Sequence, residues 1–216
     1  MSDSREAIAS ATASLRENRE KLERYIRRNP KFLYSLTPVR VNSDAPLVAK
    51  IMAEAAAKAG VGPMAAVAGA LADLAVREML SAGAKVAVVE NGGEISAISE
   101  LPVDIALLAQ GTPLSRKIGF RLEKFPVGVA TSSATFGHAL SLGEADAVTI
   151  FSKNACMADA AATAVCNAVK GENADLAIRR GIEEALSIDD VEGILIIYKG
   201  KVAIAGEIPR LLNITE

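Results

Sequence analysis

Aromatic side chains are scarce in this sequence. Its 216 residues include no tryptophan, three tyrosines and five phenylalanines, although half of all residues are hydrophobic. Alanine, valine and leucine must therefore form most of the core, and such small side chains favour closely packed helices against a sheet. The scarcity also leaves few side chains that could stack on a planar ligand.

A strong charge of one sign is also lacking. The formal net charge is only −2, which gives no basic surface of the kind that binds nucleic acid. The short cluster of Arg24, Arg27, Arg28 and Lys31 is typical of a solvated helix face. With one histidine and two cysteines, the chain has neither the pattern of a zinc site nor a disulfide framework.

Long apolar runs are absent. Residues 1–18 carry charges throughout and contain no apolar core of a signal peptide. The longest uncharged apolar stretch, residues 61–72, is shorter than the roughly 20 residues that span a bilayer. We therefore expect a cytoplasmic protein that binds neither membranes nor nucleic acid.

The order of the predicted elements indicates one α/β (α+β) domain over residues 1–216, with mostly antiparallel sheets and packed alanine-rich helices. Hydrophobic spacing predicts an N-terminal amphipathic helix within residues 1–29, and no linker divides the rest of the chain. A buried helix over residues 63–80 should carry Asp73 and Arg77 at its edge as an exposed or partly exposed pair. Further helices are predicted at 46–60, 155–170 and 173–186, and strands at 38–41, 85–90, 94–99, 103–108, 127–130, 147–151, 194–198 and 201–205.

The segment Asn91-Gly92-Gly93-Glu94 joins two predicted strands. Two interpretations are open, because the same glycines suit a hairpin turn with positive φ and a backbone that approaches a phosphate closely. Glu90 and Glu94 flank the turn and would repel a phosphate unless a metal ion lay between them.

A hydroxyl-rich run, Thr131-Ser132-Ser133-Ala134-Thr135, follows a predicted buried strand. It is either a loop that hydrogen-bonds its own backbone or part of a ligand site at a strand end. His138, the only histidine, follows closely and is either a bystander or a proton donor near neutral pH.

A third set of residues lies on one predicted helix. Asp159, Thr163, Asn167 and Lys170 are spaced at i, i+4, i+8 and i+11, so they share one stripe. This stripe is either a solvent-exposed face or, because alanines surround it, the wall of a pocket. A carboxylate and a hydroxyl one turn apart suit Mg²⁺, which prefers oxygen ligands.

Taken in order, these segments resemble the ApbE-like family, whose characterised members are FAD:protein FMN transferases, and in particular an uncharacterised prokaryotic branch of it. The resemblance covers residues 60–170. Its motifs are the glycine-rich helix start Gly62-Pro63-Met64-Ala65, the turn Glu90-Asn91-Gly92-Gly93-Glu94, the segment Ala130-Thr131-Ser132-Ser133, His138, and the helix motif Ala158-Asp159-Ala160-Ala161-Ala162-Thr163-Ala164.

The resemblance implies Mg²⁺-dependent transfer of FMN from FAD to a protein target, or cleavage of another flavin or nucleotide pyrophosphate. Asp159 and Thr163 would bind Mg²⁺, and His138 would be the catalytic residue that places or moves a proton. Phe136, in the same segment, would stack on the flavin. The residues that would bind the cofactor are Asn91, Gly92, Gly93, Glu94, Thr131, Ser132 and Ser133.

The sequence departs from the family pattern at several positions. Ala66 stands where the family has a lysine, and Glu90 stands where its turn has an asparagine. The family's Asp-Pro-Arg-x-Gly motif is replaced by Leu140-Ser141-Leu142-Gly143. These changes fit an altered substrate or lost catalysis, so two alternatives are a non-catalytic FAD- or nucleotide-binding module and a homo-oligomeric structural protein.

Overall fold

Local sequence signals determine where the helices of this protein begin and end. The computed structural model describes residues 1–109, 112, 114–134 and 142–214. The hydroxyl of Ser4 accepts a hydrogen bond from the Ala7 amide and caps the first helix, and Gly60 ends the third in the left-handed conformation, with φ 68°. The helices are α1 (Arg5–Arg28), α2 (Pro30–Tyr34), α3 (Leu47–Ala59), α4 (Val67–Ser81), α5 (Ala155–Ala168) and α6 (Ala174–Ser187).

The strands form two antiparallel sheets. The larger sheet has the order β1-β2-β5-β6-β7-β8, and the smaller sheet has the order β3-β4-β9. Their bounds are β1 (Val86–Asn91), β2 (Glu94–Ser99), β3 (Val103–Ala106), β4 (Ile118–Leu122), β5 (Val127–Ser132), β6 (Ala147–Ser152), β7 (Val191–Tyr198), β8 (Lys201–Gly206) and β9 (Arg210–Asn213).

The two faces of the six-stranded sheet contact different layers. Val148 and Ile150 of β6 belong to a core that the helices build, whereas Phe151 packs edge-to-face on Phe120 of β4, with ring centroids 4.8 Å apart. Successive side chains of a strand alternate between faces, so helices α4 and α5 cover one face and the small sheet covers the other. We call these the helix-covered face and the inter-sheet face.

The predicted fold class, α+β with antiparallel sheets and alanine-rich helices, is confirmed. The prediction of a strand at 38–41 is wrong, because these residues pair with no strand in the described part of the chain. The helix predicted over 63–80 begins as a 3₁₀ turn, Pro63–Ala66, and continues as α4. Strands β4 and β9 were not predicted.

Among the described residues, no single helix has the length and hydropathy to cross a membrane. Only the pair of Leu47–Ala59 and Pro63–Ser81 has them jointly, and these two segments are bent by 105° relative to each other.

Candidate functional site

The Gly92-Gly93 turn joins β1 to β2. Asn91 pairs with Glu94 in register, and the two glycines between them have φ values of 76° and 114°, as a two-residue hairpin turn requires. The Gly93 amide donates a hydrogen bond to Glu90 Oε1 at 2.9 Å. The Asn91 side-chain amide donates to the Ala68 carbonyl at 3.0 Å, which fixes the turn to the first residues of α4.

A cavity of about 430 Å³ lies beside this turn on the inter-sheet face, within the size range of small-molecule sites. The hydroxyl oxygens of Thr131 and Thr149, paired across β5 and β6, lie 2.9 Å apart at its polar wall. The polar wall consists of Glu90, Gly92, Gly93, Thr131, Ser133 and Thr149, and the apolar wall of Ile95, Ile105, Ala106, Leu107, Leu108, Phe120 and Val129.

The structure therefore brings four of the predicted cofactor-binding residues together: Gly92, Gly93, Thr131 and Ser133. The aromatic ring at this cavity is that of Phe120 on β4, which the sequence did not single out because that strand was not predicted. The proposed catalytic residue His138 and the proposed stacking residue Phe136 lie outside the described residues.

The other predicted cofactor-binding residues lie on the helix-covered face. Asn91 reaches α4, and Glu94, its register partner, shares that face because directly paired residues point the same way. Ser132 pairs with Val148 of the helical core. The residues of the predicted site thus lie on both faces of the sheet, and the hairpin turn connects the two groups.

Asp159 also lies on the helix-covered face, where it is partly buried. Its Oδ2 accepts a hydrogen bond from the Gly69 amide at 3.0 Å, and the neighbouring Ala68 amide also favours the ionised form and so lowers its pKa. Both amides belong to the first turn of α4, whose N–H groups have no partner within the helix. Asp159 therefore caps α4 from the neighbouring helix α5.

Acidic groups gather around Asp159. Burial raises its pKa well above the ordinary value, and the charges of Glu94 and Asp73 raise it further. Burial also raises the pKa of Glu94 to about 7, with a further contribution from the charge of Glu90. Both shifts arise because an ionised carboxylate is poorly solvated here and faces like charges.

Asp73 is not part of an exposed or partly exposed pair with Arg77, so that prediction is wrong. Asp73 is buried, with 8% of its surface exposed, whereas Arg77 is exposed. Its two carboxylate oxygens accept hydrogen bonds from the Ala155 and Cys156 amides, each at 2.9 Å. The acid therefore faces inward to cap α5, and burial raises its pKa.

Asp159 and Thr163 are the two oxygen donors that the sequence predicts for a hard cation. Thr163 follows Asp159 by one helical turn and is partly buried, so an acid and a hydroxyl share one stripe. The charges that raise the pKa of Asp159 are both negative, and a cation would neutralise them. No three His, Cys, Asp or Glu side chains in the described ranges are placed to hold a metal ion, so Mg²⁺ would need oxygen ligands from water or a phosphate.

Comparison with known proteins identifies the family. A family model described as "AbpE bacteria" matches residues 1–202. The chain belongs to this family. The predicted resemblance to ApbE-like proteins is thereby confirmed.

Relatives match the chain over most of its length. The UPF0280 protein of Methanocaldococcus jannaschii is 46% identical over 201 residues, which cover 91% of this chain and 81% of that protein. The UPF0280 protein of Methanopyrus kandleri is 41% identical over 215 residues, which cover 98% of this chain and 87% of that protein.

The crystal structure of the ApbE protein of Thermotoga maritima matches with a TM-score of 0.52 and 21% sequence identity. The match covers 68% of this chain and 51% of that protein, so the chain spans about half the length of this structural relative. The likeness shows a shared fold.

Proposed function

We propose that the chain binds a flavin nucleotide, FAD first, and that it cleaves the FAD pyrophosphate with the help of Mg²⁺, so that AMP leaves and FMN passes to a protein target or, by hydrolysis, to water. One observation carries the proposal: the Gly92-Gly93 turn and the Thr131–Thr149 hydroxyl pair form one wall of a single cavity. Asp159 and Glu94 lie on the opposite face of the sheet, beside the same β1–β2 hairpin. The family to which the chain belongs supports the choice of a flavin over other nucleotides.

The chemistry of the cavity walls suits the two halves of such a ligand. The apolar wall contains the exposed Leu108 and the partly buried Ile105 and could cover a planar ring system. The polar wall contains two glycines without side chains, so phosphate oxygens could approach the backbone closely, with the Gly93 amide exchanging its bond to Glu90 Oε1 for one to a phosphate. The Thr131 hydroxyl could donate to the same oxygens while it accepts from the buried Thr149 hydroxyl.

The cation would be held by Asp159 and Thr163. Bound there, Mg²⁺ would neutralise charge that develops on the phosphates during cleavage. Glu94 lies close enough for its charge to raise the pKa of Asp159, so it would orient waters or share the cation. The chain is itself slightly acidic, which makes a bridging cation the more plausible way to hold a polyanion.

A second candidate, ligand binding without turnover, is favoured by one position. Ala66 replaces the family's lysine, and this alanine is fully buried. A methyl group there can neither donate a hydrogen bond nor neutralise a phosphate. The binding geometry could therefore persist while catalysis is lost.

The two candidates are separated by titrating the protein with FAD, with and without Mg²⁺, and analysing the mixture for FMN and AMP. We expect Mg²⁺ to tighten FAD binding, and Asp159→Asn and Thr163→Val to remove that effect while the proteins stay folded. Asp175→Asn, which removes a carboxylate at the start of α6, serves as the control. Binding without products selects the binding module, and equal FAD affinity with and without Mg²⁺ refutes the proposed metal site.

A further inference from the structure

Helices α4 and α5 cap each other. Asp159 of α5 accepts from the Gly69 amide of α4 at 3.0 Å, and Asp73 of α4 accepts from the Ala155 and Cys156 amides of α5 at 2.9 Å each. Each carboxylate thus satisfies orphan amides of the other helix. The two acids form a reciprocal clamp at the point where the helices cross.

The helices approach so closely there that the clamp has little freedom. A Cβ atom added to Gly69 would lie 2.2 Å from the Ala155 carbonyl oxygen, so only glycine permits this crossing. Asp73 also accepts a hydrogen bond from Ser96 Oγ of β2 at 2.7 Å. Ser96 is two residues from Glu94 on the same face, so one buried carboxylate joins α4, α5 and β2.

Two side chains share the capping of α5, and Asp73 is the one that comes from another element. The helix already has a cap of its own, because Asn154 Oδ1 accepts from the Met157 amide at 2.8 Å. Asp73 joins α4 to two other elements: α5, which carries Asp159, and β2, which carries Glu94.

We infer that Asp73 is a positioning residue, whose bonds to α5 and β2 hold the Asp159 carboxylate at the first turn of α4 where the proposed cation would bind. This inference rests on the proposed function for the role of the cation, but the placement of Asp159 can be tested without any ligand. Mutating a residue that holds a metal ligand in place commonly lowers metal affinity by about 10- to 100-fold.

The test compares Asp73→Asn with Asn154→Ala, which removes a cap of the same helix without breaking the link between helices. Hydrogen exchange at the Gly69 amide measures whether the Asp159 carboxylate still holds it. We expect exchange to rise about 10-fold in Asp73→Asn and by less than about 2-fold in Asn154→Ala, since local opening follows the lost local contacts. If Asp73→Asn does not fold, Ser96→Ala, which removes one of the three bonds, should show a smaller rise of the same kind.

Unchanged exchange at Gly69 in Asp73→Asn, or an equal rise in Asn154→Ala, would overturn the inference. A second readout is the factor by which Mg²⁺ tightens FAD binding, which should fall about 10-fold in Asp73→Asn and stay unchanged in Asn154→Ala. If Asp73→Asn keeps the wild-type factor, the positioning role is also refuted. If the wild-type protein shows no such factor, the proposed function fails, and the exchange comparison decides the role of Asp73.

Discussion

The hydroxyls of Thr131 and Thr149 form a hydrogen bond to each other at the wall of the cavity. Their oxygens are 2.9 Å apart, and Thr149 is buried with 1% of its surface exposed. Replacing Thr131 with valine keeps the shape but leaves the Thr149 hydroxyl without this partner. We expect a loss of about 1 kcal/mol in the free energy of unfolding, measured by urea denaturation.

The same variant should weaken FAD binding, because one donor to the ligand is lost. The expected factor is roughly 5-fold, the equivalent of a single hydrogen bond. Thr12→Val is the control, since Thr12 is exposed on α1 and donates only to the Ile8 carbonyl of its own helix. Wild-type FAD affinity in Thr131→Val would show that this wall of the cavity does not contact the ligand.

Asp73 shows how far the environment of a single residue could be predicted from the sequence. An acid one turn before an arginine is the usual pattern of an exposed pair, and that pattern predicted the wrong environment. A better signal was available: Asp73 interrupts the apolar run of α4 at a position flanked by Ala72 and Leu74. A buried carboxylate needs hydrogen-bond donors, and the amides that supply them lie 82 and 83 residues later in the chain.

At the scale of elements, the crossing of α4 and α5 gives a sharp prediction for Gly69→Ala. An alanine inside a helix ordinarily stabilises it by up to about 1 kcal/mol relative to glycine. Here the added Cβ would meet backbone atoms of Ala155 at 2.2 and 2.4 Å, which cannot move without shifting α5. We expect a net loss of at least about 1–3 kcal/mol, typical of overpacking, measured by urea denaturation.

Gly181→Ala in α6 is the matched control for this crossing. Its added Cβ would approach Val169 Cγ2 at 2.5 Å and Ile196 Cδ1 at 2.8 Å, which are side-chain methyl groups of buried residues and not backbone atoms. The loss should therefore be smaller than for Gly69→Ala. Equal losses in the two variants would mean that α5 can shift and that the crossing does not fix the position of Asp159.

Elements with a strong local pattern were predictable, and those defined by distant pairing were not. Helices α1, α3, α5 and α6 follow apolar spacing and cap residues, and the β1–β2 hairpin follows its glycine turn. Strand β4 contains Gly119 and Arg121 and is stabilised by β3 and β9, the latter about 90 residues away. Residues 38–41 have the opposite problem, since Val39 and Val41 favour a strand but find no neighbour to pair with in the described chain.

At the scale of the whole molecule, the sheet separates two chemical environments. The cavity with its hydroxyls lies on the inter-sheet face, and the acids lie on the helix-covered face. The sequence placed all of these residues in one site but could not assign them to faces, because a strand's facing depends on register with its neighbours. A pyrophosphate that contacts both groups must therefore pass the end of the sheet at Gly92 and Gly93, where it would meet the carboxylates of Glu90 and Glu94.

The gathering of acids on one face also predicts how stability depends on pH. Asp73, Glu94 and Asp159 all have pKa values raised above their ordinary values by burial. Each group holds its proton in the folded protein at a pH where the unfolded chain has already lost it. Between pH 4.5 and about 7, the window set by Glu94, the folded state binds more protons, so stability must fall as the pH rises.

We therefore expect the melting temperature to decrease from pH 5 to pH 7.5, and the decrease to be smaller in Glu94→Gln, whose side chain does not ionise. Glu100→Gln, an exposed position after β2, should retain the wild-type slope. Mg²⁺ should raise the melting temperature more at pH 7.5 than at pH 5, because a cation binds the ionised carboxylates and stabilises the state that holds it. A melting temperature that rises with pH over this window would show that these acids do not hold extra protons in the folded state. An equal effect of Mg²⁺ at both pH values would show that they do not form the proposed cation site.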